Sequence, residues 1–109
     1  MLEGLFGNPT VEKVLWYLTQ YEEGYAQELS ETLNVPVTTI KNTLLRLENG
    51  GIIVGHEVGR SRVFRLNPRW PMVKELIDLL EKSLEYLPNS YIEETFRKRK
   101  RPRRTGKPL

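Results

Sequence analysis

The stretch YAQELSETLNVPVTTIKNTLLRLENGGIIVGHEVGRSRVFRLN, residues 25–67, changes its hydrophobic period part-way along and thereby decides the fold. Its first half has apolar residues at the spacing of a helix face, whereas its second half alternates apolar and polar residues as a strand does. We therefore predict helices over residues 26–33 and 37–49, joined by a turn at Asn34, and a β-hairpin over residues 52–66.

The segments on either side of this stretch also have helical spacing. Asn8 is suited to cap a helix and Pro9 to begin it, which predicts a first helix over residues 9–21. A longer helix is predicted over residues 71–87, where Pro88 ends it.

The C-terminal end differs in composition from the rest of the chain. Ser90 and Glu93 have capping-box spacing, which predicts a short helix from Tyr91 to about Lys98. The residues that follow are rich in positive charge and proline, a composition typical of disorder. We therefore predict one domain over residues 1–88, followed by a short helix and a basic tail over residues 89–109.

The charge of the chain is divided by sign along its length. Residues 97–107 contain eight Lys and Arg and no acid, so residues 1–96 carry nine basic against 14 acidic residues, a net −5. Residues 41–69 are nevertheless net +4, while residues 1–40 are −5 and residues 70–96 are −4. Positive charge confined to one middle segment and one end is typical of proteins that bind nucleic-acid phosphates. A tail that only improves solubility is the alternative.

Two short helices followed by a hairpin resemble the winged helix-turn-helix domains of the arsenic-repressor (ArsR) and multiple-antibiotic-resistance (MarR) regulators. The resemblance spans residues 5–67, from LFGNPTVEKVLWYL at its start to VGRSRVFRL in the hairpin. Between these segments it depends on apolar, polar and turn positions, namely Leu29, Ser30, Leu33, Val35, Thr39, Ile40, Leu44, Leu47, Gly51, Ile52 and Ile53. It implies a mainly α fold with a small β-hairpin, a C-terminal dimerisation helix, and a repressor-like, sequence-specific DNA-binding function.

The helix over residues 37–49 has the two faces that such a function requires. At about 100° per residue, Ile40, Leu44 and Leu47 fall on one side and hydrogen-bonding or cationic side chains fall on the other. Asn can pair with adenine and Arg with guanine, and Thr can offer both a hydroxyl and a methyl group to base edges. Our candidate DNA-binding residues on this helix and at the hairpin turn are Thr38, Thr39, Lys41, Asn42, Arg46, Arg60, Ser61 and Arg62.

Each of these candidates has a simpler alternative. The polar side chains of the helix can be ordinary solvated residues, and an Arg on the hairpin can serve to discourage edge-to-edge sheet pairing. Leu45 departs from the polar face, and we expect it either to pack against the first helix or to mark a protein contact. His56 is expected to be a half-buried packing residue.

The helix over residues 71–87 is apolar over about half its circumference, more than a surface helix needs. We predict that it forms a symmetric homodimer, which would place two DNA-contacting helices about 34 Å apart on a palindromic site. The predicted interface residues are Val73, Leu76, Ile77, Leu80, Leu84 and Leu87. The alternative is a helix that completes a monomeric core.

The basic tail is predicted to neutralise DNA phosphates without sequence preference. Its candidate phosphate-binding residues are Arg97, Lys98, Arg99, Lys100, Arg101, Arg103 and Arg104. The alternative is a tail that folds back onto acidic groups of the body such as Glu22 and Glu23.

The residue content argues against several other functions. The chain has no Cys and one His, His56, so we expect no thiolate metal site, no metal cofactor and no Ser/His/Asp catalytic set. No glycine-rich phosphate loop occurs, and we therefore expect no enzymatic activity. The absence of an apolar run of about 20 residues and of a leader segment predicts a cytoplasmic protein. The remaining rivals are an antitoxin-like or adaptor subunit that binds another protein, and an RNA-binding protein.

Overall fold

The structure is a computed structural model that describes residues 1–96. The basic tail predicted to bind phosphate therefore lies outside the described residues, as does Lys98 at the predicted end of the last helix. In chain order the described elements are α1 (Glu3–Phe6), α2 (Pro9–Tyr21), β1 (Gly24–Tyr25), α3 (Ala26–Leu33), α4 (Val37–Asn49), β2 (Ile53–Val58), β3 (Ser61–Leu66), α5 (Val73–Glu85) and α6 (Asn89–Thr95). The mainly helical fold with a hairpin is thus confirmed.

Local signals place the ends of α2, α3 and α4 where the sequence predicts them. Helix α5 begins at Val73 and ends at Glu85, inside its predicted range of 71–87. The side-chain oxygen of Asn8 accepts a hydrogen bond from the backbone N–H of Val11 at 3.0 Å, and Pro9 opens α2. Asn34 ends α3 in the left-handed conformation, with φ 57°, and Gly51 follows α4 with φ 80°. The residues that end these helices are those that tolerate a positive φ.

The hairpin is the larger part of a three-stranded antiparallel sheet with strand order β1-β3-β2. The sequence indicates only a break at Gly24, but the structure pairs Gly24 with Phe64 of β3. A Cβ at Gly24 would lie 2.7 Å from the side chains of Tyr17 and Leu29, so the close approach of the backbone there requires glycine. A strand of two residues is too short to have a hydrophobic period, which is why the sequence pattern misses β1.

Helix α2 lies at the centre of the core. Five consecutive residues, 14–18, are buried, because α2 is covered by α4, α5 and the sheet on different sides. Trp16 donates a hydrogen bond from Nε1 to Oγ of Ser83 at 2.9 Å, which joins α2 to α5. The ring of Trp16 also meets Tyr91 and Phe96 edge-to-face.

The last helix differs from its prediction in position and in role. It begins at Asn89, directly after Pro88, and no side chain caps it, so the capping box predicted from Ser90 to Glu93 does not form. Phe96 is only 1% exposed and packs in the core. Residues 89–96 therefore pack with the body of the protein, beyond the boundary predicted after residue 88. Within residues 1–96, no helix is long and apolar enough to cross a membrane.

Candidate nucleic-acid interface

Helix α4 separates its side chains into a buried and an exposed face, as its periodicity predicts. Ile40, Thr43, Leu44 and Leu47 are buried against the core. The opposite face is open to solvent and brings together the helix candidates Thr38, Thr39, Lys41, Asn42 and Arg46, with Leu45 and Asn49 among them. One continuous surface on α4 thus presents hydroxyl, amide and cationic groups.

The hairpin turn stands beside this surface. A groove of about 570 Å³ separates α4 from the turn and from the start of α3. Lys41 lines it on the helix side, and Arg60 and Ser61 line it on the hairpin side. Arg60 is exposed and has no ion-pair partner within residues 1–96. Lys41 and Arg60, which come from separate parts of the sequence, therefore meet around one groove, whereas Arg46 does not line it.

Arg62 does not behave as a free cation of the turn. Its guanidinium donates two hydrogen bonds to the carboxylate of Glu48 near the end of α4, at 2.9 and 2.7 Å. The same group lies 5.3 Å from the centre of the Phe64 ring, and Glu57 is 4.0 Å away. The hydrogen bond with Glu48 raises the pKa of Arg62 above its ordinary value. This bidentate geometry links the hairpin to α4, and it pairs Arg62, a predicted DNA-binding residue, with a carboxylate of the chain itself.

Glu48 is one residue of this site that the sequence pattern does not reveal. It is one of two acids in the basic segment 41–69, which is the only signal that could have drawn attention to it. Its partner, Arg62, is 14 residues away, and their contact depends on how the hairpin folds over α4. Tyr25 and Gln27, at the start of α3, also line the groove without having been predicted.

The structure also gives the positions of Leu45, His56 and Arg65 relative to the groove. Leu45 is 55% exposed and lines the groove, so it does not pack against the first helix. His56 is exposed on β2, so the expectation of a half-buried residue is wrong. Arg65 lines a second, smaller cavity together with Glu22 and Glu23, and it does not line the groove beside α4.

The predicted dimer face of α5 is largely occupied by the chain itself. Leu80 is fully buried in the core, which corrects its assignment to a surface between two copies. Three more predicted interface residues, Leu76, Leu84 and Leu87, are partly buried against the same core, while Val73 and Ile77 are half-buried. Large apolar side chains that remain exposed are Leu79 on α5, and Met72 and Tyr86 directly before and after this helix.

Among residues 1–96, no group of three or more His, Asp or Glu side chains is placed to hold a metal ion. The chemistry available at the α4 surface is hydrogen bonding, positive charge and apolar contact.

No protein-family model matches the chain, and no curated protein matches it. Solved structures do match the chain. The adhesin competence repressor AdcR of Streptococcus pyogenes aligns over 79% of this chain and 72% of its own, with a TM-score of 0.53 and 18% identity. A mutant of ZitR from Lactococcus lactis in its apo form aligns over 84% and 70%, with a TM-score of 0.55 and 17% identity.

The fold is a winged helix. In this fold α3 and α4 form the helix-turn-helix, α4 is the second of its helices, and the β2–β3 hairpin is the wing. The groove described above therefore lies between the second helix and the wing.

Proposed function

We propose that the protein is a DNA-binding transcriptional regulator of the repressor type, located in the cytoplasm and without catalytic activity. The observation that carries the proposal is the exposed polar face of α4 beside an exposed cationic turn, in a segment of net charge +4. An α-helix fits the major groove of duplex DNA, and a wing then lies over the adjacent backbone. The name of the similar protein AdcR, a repressor, supports the same function.

The residues divide into three roles in this proposal. Asn42 and Arg46 contact base edges, and Thr38 and Thr39 at the start of α4 contact bases or the sugar-phosphate backbone. Lys41, Arg60 and Ser61 bind phosphates on either side of the groove. Arg62 holds the wing against α4 through Glu48, and it contributes to the angle at which the two elements meet DNA.

We further propose that the protein binds DNA as a homodimer through α5. Met72, Leu79 and Tyr86 are spaced seven residues apart, before, within and after α5, so they form an exposed apolar stripe along one side of this segment. An apolar stripe of this kind supports self-association, since a second copy would remove it from water. The half-buried predicted residues Val73 and Ile77 would border this contact.

Selection of bound sequences from random duplex DNA tests the proposal directly. We expect one preferred sequence with two symmetric half-sites about one helical turn apart. Failure to enrich any sequence would contradict the proposed function.

The second candidate, an antitoxin-like or adaptor subunit, is favoured by the exposed stripe on α5, because a different polypeptide can also cover it. Gel filtration distinguishes the homodimeric regulator from the adaptor subunit, since an adaptor without its partner would elute as a monomer.

Replacing Asn42 or Arg46 by Ala is expected to cost about 1–3 kcal/mol of binding free energy at the preferred sequence. The reason is the loss of side-chain hydrogen bonds to a base edge. Binding to a scrambled duplex should change much less, and titration of both duplexes measures the difference. Equal losses on the two duplexes would assign both residues to phosphate contacts.

Arg60→Ala is expected to reduce the magnitude of the slope of log affinity against log salt by about one unit, as the loss of one phosphate contact does. Arg62→Ala should lower it less, because the guanidinium of Arg62 is already paired with Glu48. Glu48→Gln is the matched test, since it removes the competing carboxylate and should raise the slope. Equal reductions for the two Arg variants would show that Arg62 leaves Glu48 when DNA binds.

A further inference from the structure

Leu45 occupies the middle of the surface that we propose faces DNA. It is 55% exposed, and at about 100° per residue it lies within roughly 60° of Thr38, Lys41, Asn42 and Asn49. All four of these neighbours are polar and exposed. A large apolar side chain therefore projects from the centre of an otherwise hydrophilic face, where its contact with water is unfavourable.

The surroundings of Leu45 indicate what covers it. It lines the groove together with the cations Lys41 and Arg60, and Arg46 follows it on the exposed face. Glu48 also lines the groove, but its charge is paired with that of Arg62. A partner that covers Leu45 must therefore bring negative charge to both sides of a small apolar contact. Duplex DNA has this arrangement, because two rows of phosphates border the major groove and the C5-methyl group of thymine projects into it.

We infer that Leu45 is a specificity-determining residue that selects thymine by packing against its C5-methyl group. The inference rests on the proposed DNA-binding function and deepens it. Cytosine lacks a methyl group at the same position, so it would leave Leu45 in contact with water or with the polar base edge. One thymine in each half-site is thus chosen by apolar contact, beside the bases that Asn42 and Arg46 contact by hydrogen bonds.

The test uses the full chain and the preferred duplex obtained by selection. Each thymine is replaced in turn by deoxyuridine, which removes only the methyl group and keeps the base pair. We expect one replacement per half-site to weaken binding roughly 4-fold, as the return of one methyl group to water does. Replacement at the remaining thymines should have little effect.

Variants of Leu45 assign this effect to its side chain. Leu45→Ala should bind the thymine and deoxyuridine duplexes equally at the sensitive position, whereas Leu45→Met, which remains long and apolar, should still distinguish them. Since Leu45 is exposed, both variants should keep the melting temperature of the unmodified protein.

The outcomes separate the inference from the function on which it rests. If no sequence is enriched from random DNA, the proposed function and the inference both fail. If a sequence is enriched but no thymine shows an effect that depends on Leu45, the inference alone is overturned. The exposed Leu45 would then belong to a contact with another protein.

Discussion

The substitution Leu80→Asp is expected to abolish cooperative folding. Leu80 is fully buried and lies in the core with Trp16 and Phe96. Truncation of such a residue to Ala alone costs about 2–5 kcal/mol. An ionised carboxylate in the same place adds the free energy of removing a charge from water, and the whole protein is stabilised by only about 5–15 kcal/mol. Circular dichroism should therefore show loss of helix and of the thermal transition.

The neighbouring position provides a matched control. Leu79 is 38% exposed and belongs to the stripe on α5, so Leu79→Asp should fold with a melting temperature close to that of the unmodified chain. Sedimentation should show the unmodified chain as a dimer and Leu79→Asp as a monomer. A folded Leu80→Asp protein would contradict the placement of this residue in the core. An unmodified chain that sediments as a monomer at high micromolar concentration would refute the homodimer.

Removal of the basic tail is expected to make DNA binding much less sensitive to salt. Residues 97–107 carry eight Lys and Arg without an acid. Each phosphate that they neutralise contributes about 0.9 units to the slope of log affinity against log salt, so truncation should flatten it by several units per chain. The cut must follow Phe96, because this residue is buried in the core. The preferred sequence should remain the same, since phosphate contacts carry no base information.

The competing model for the tail predicts the opposite change in DNA affinity when the tail is removed. Glu22 and Glu23 are exposed, and a tail bound to them would have to be displaced by DNA. Its removal would then strengthen binding, whereas the loss of a phosphate anchor weakens it. Titration of full-length and truncated chains against one duplex at low and moderate salt distinguishes the models. A full-length variant with Gln in place of the tail cations controls for chain length. Tighter DNA binding by the truncated chain than by the full-length chain would overturn the anchor model.

The amino-acid sequence by itself determined α2, α3, α4, α5, the hairpin and the polarity of α4, but neither α1 nor β1. The signals concerned are local: Asn8 caps the helix that follows it, and Asn34 and Gly51 end helices by adopting a positive φ. The change of hydrophobic period after α4 likewise specifies the hairpin over neighbouring residues. The spacing of Ile40, Leu44 and Leu47 shows which side of α4 is buried, and so which residues form its exposed surface.

Tertiary structure alone decided what covers each face and which distant charges meet. Periodicity groups Leu80 with the other apolar residues of α5, but only the packing of α5 on α2 buries Leu80 and leaves Leu79 exposed. The pair of Arg62 with Glu48 likewise depends on the position of the wing over α4. Hydrophobic spacing is a property of one segment, whereas burial and ion pairing arise between segments whose relative position is set by the whole core.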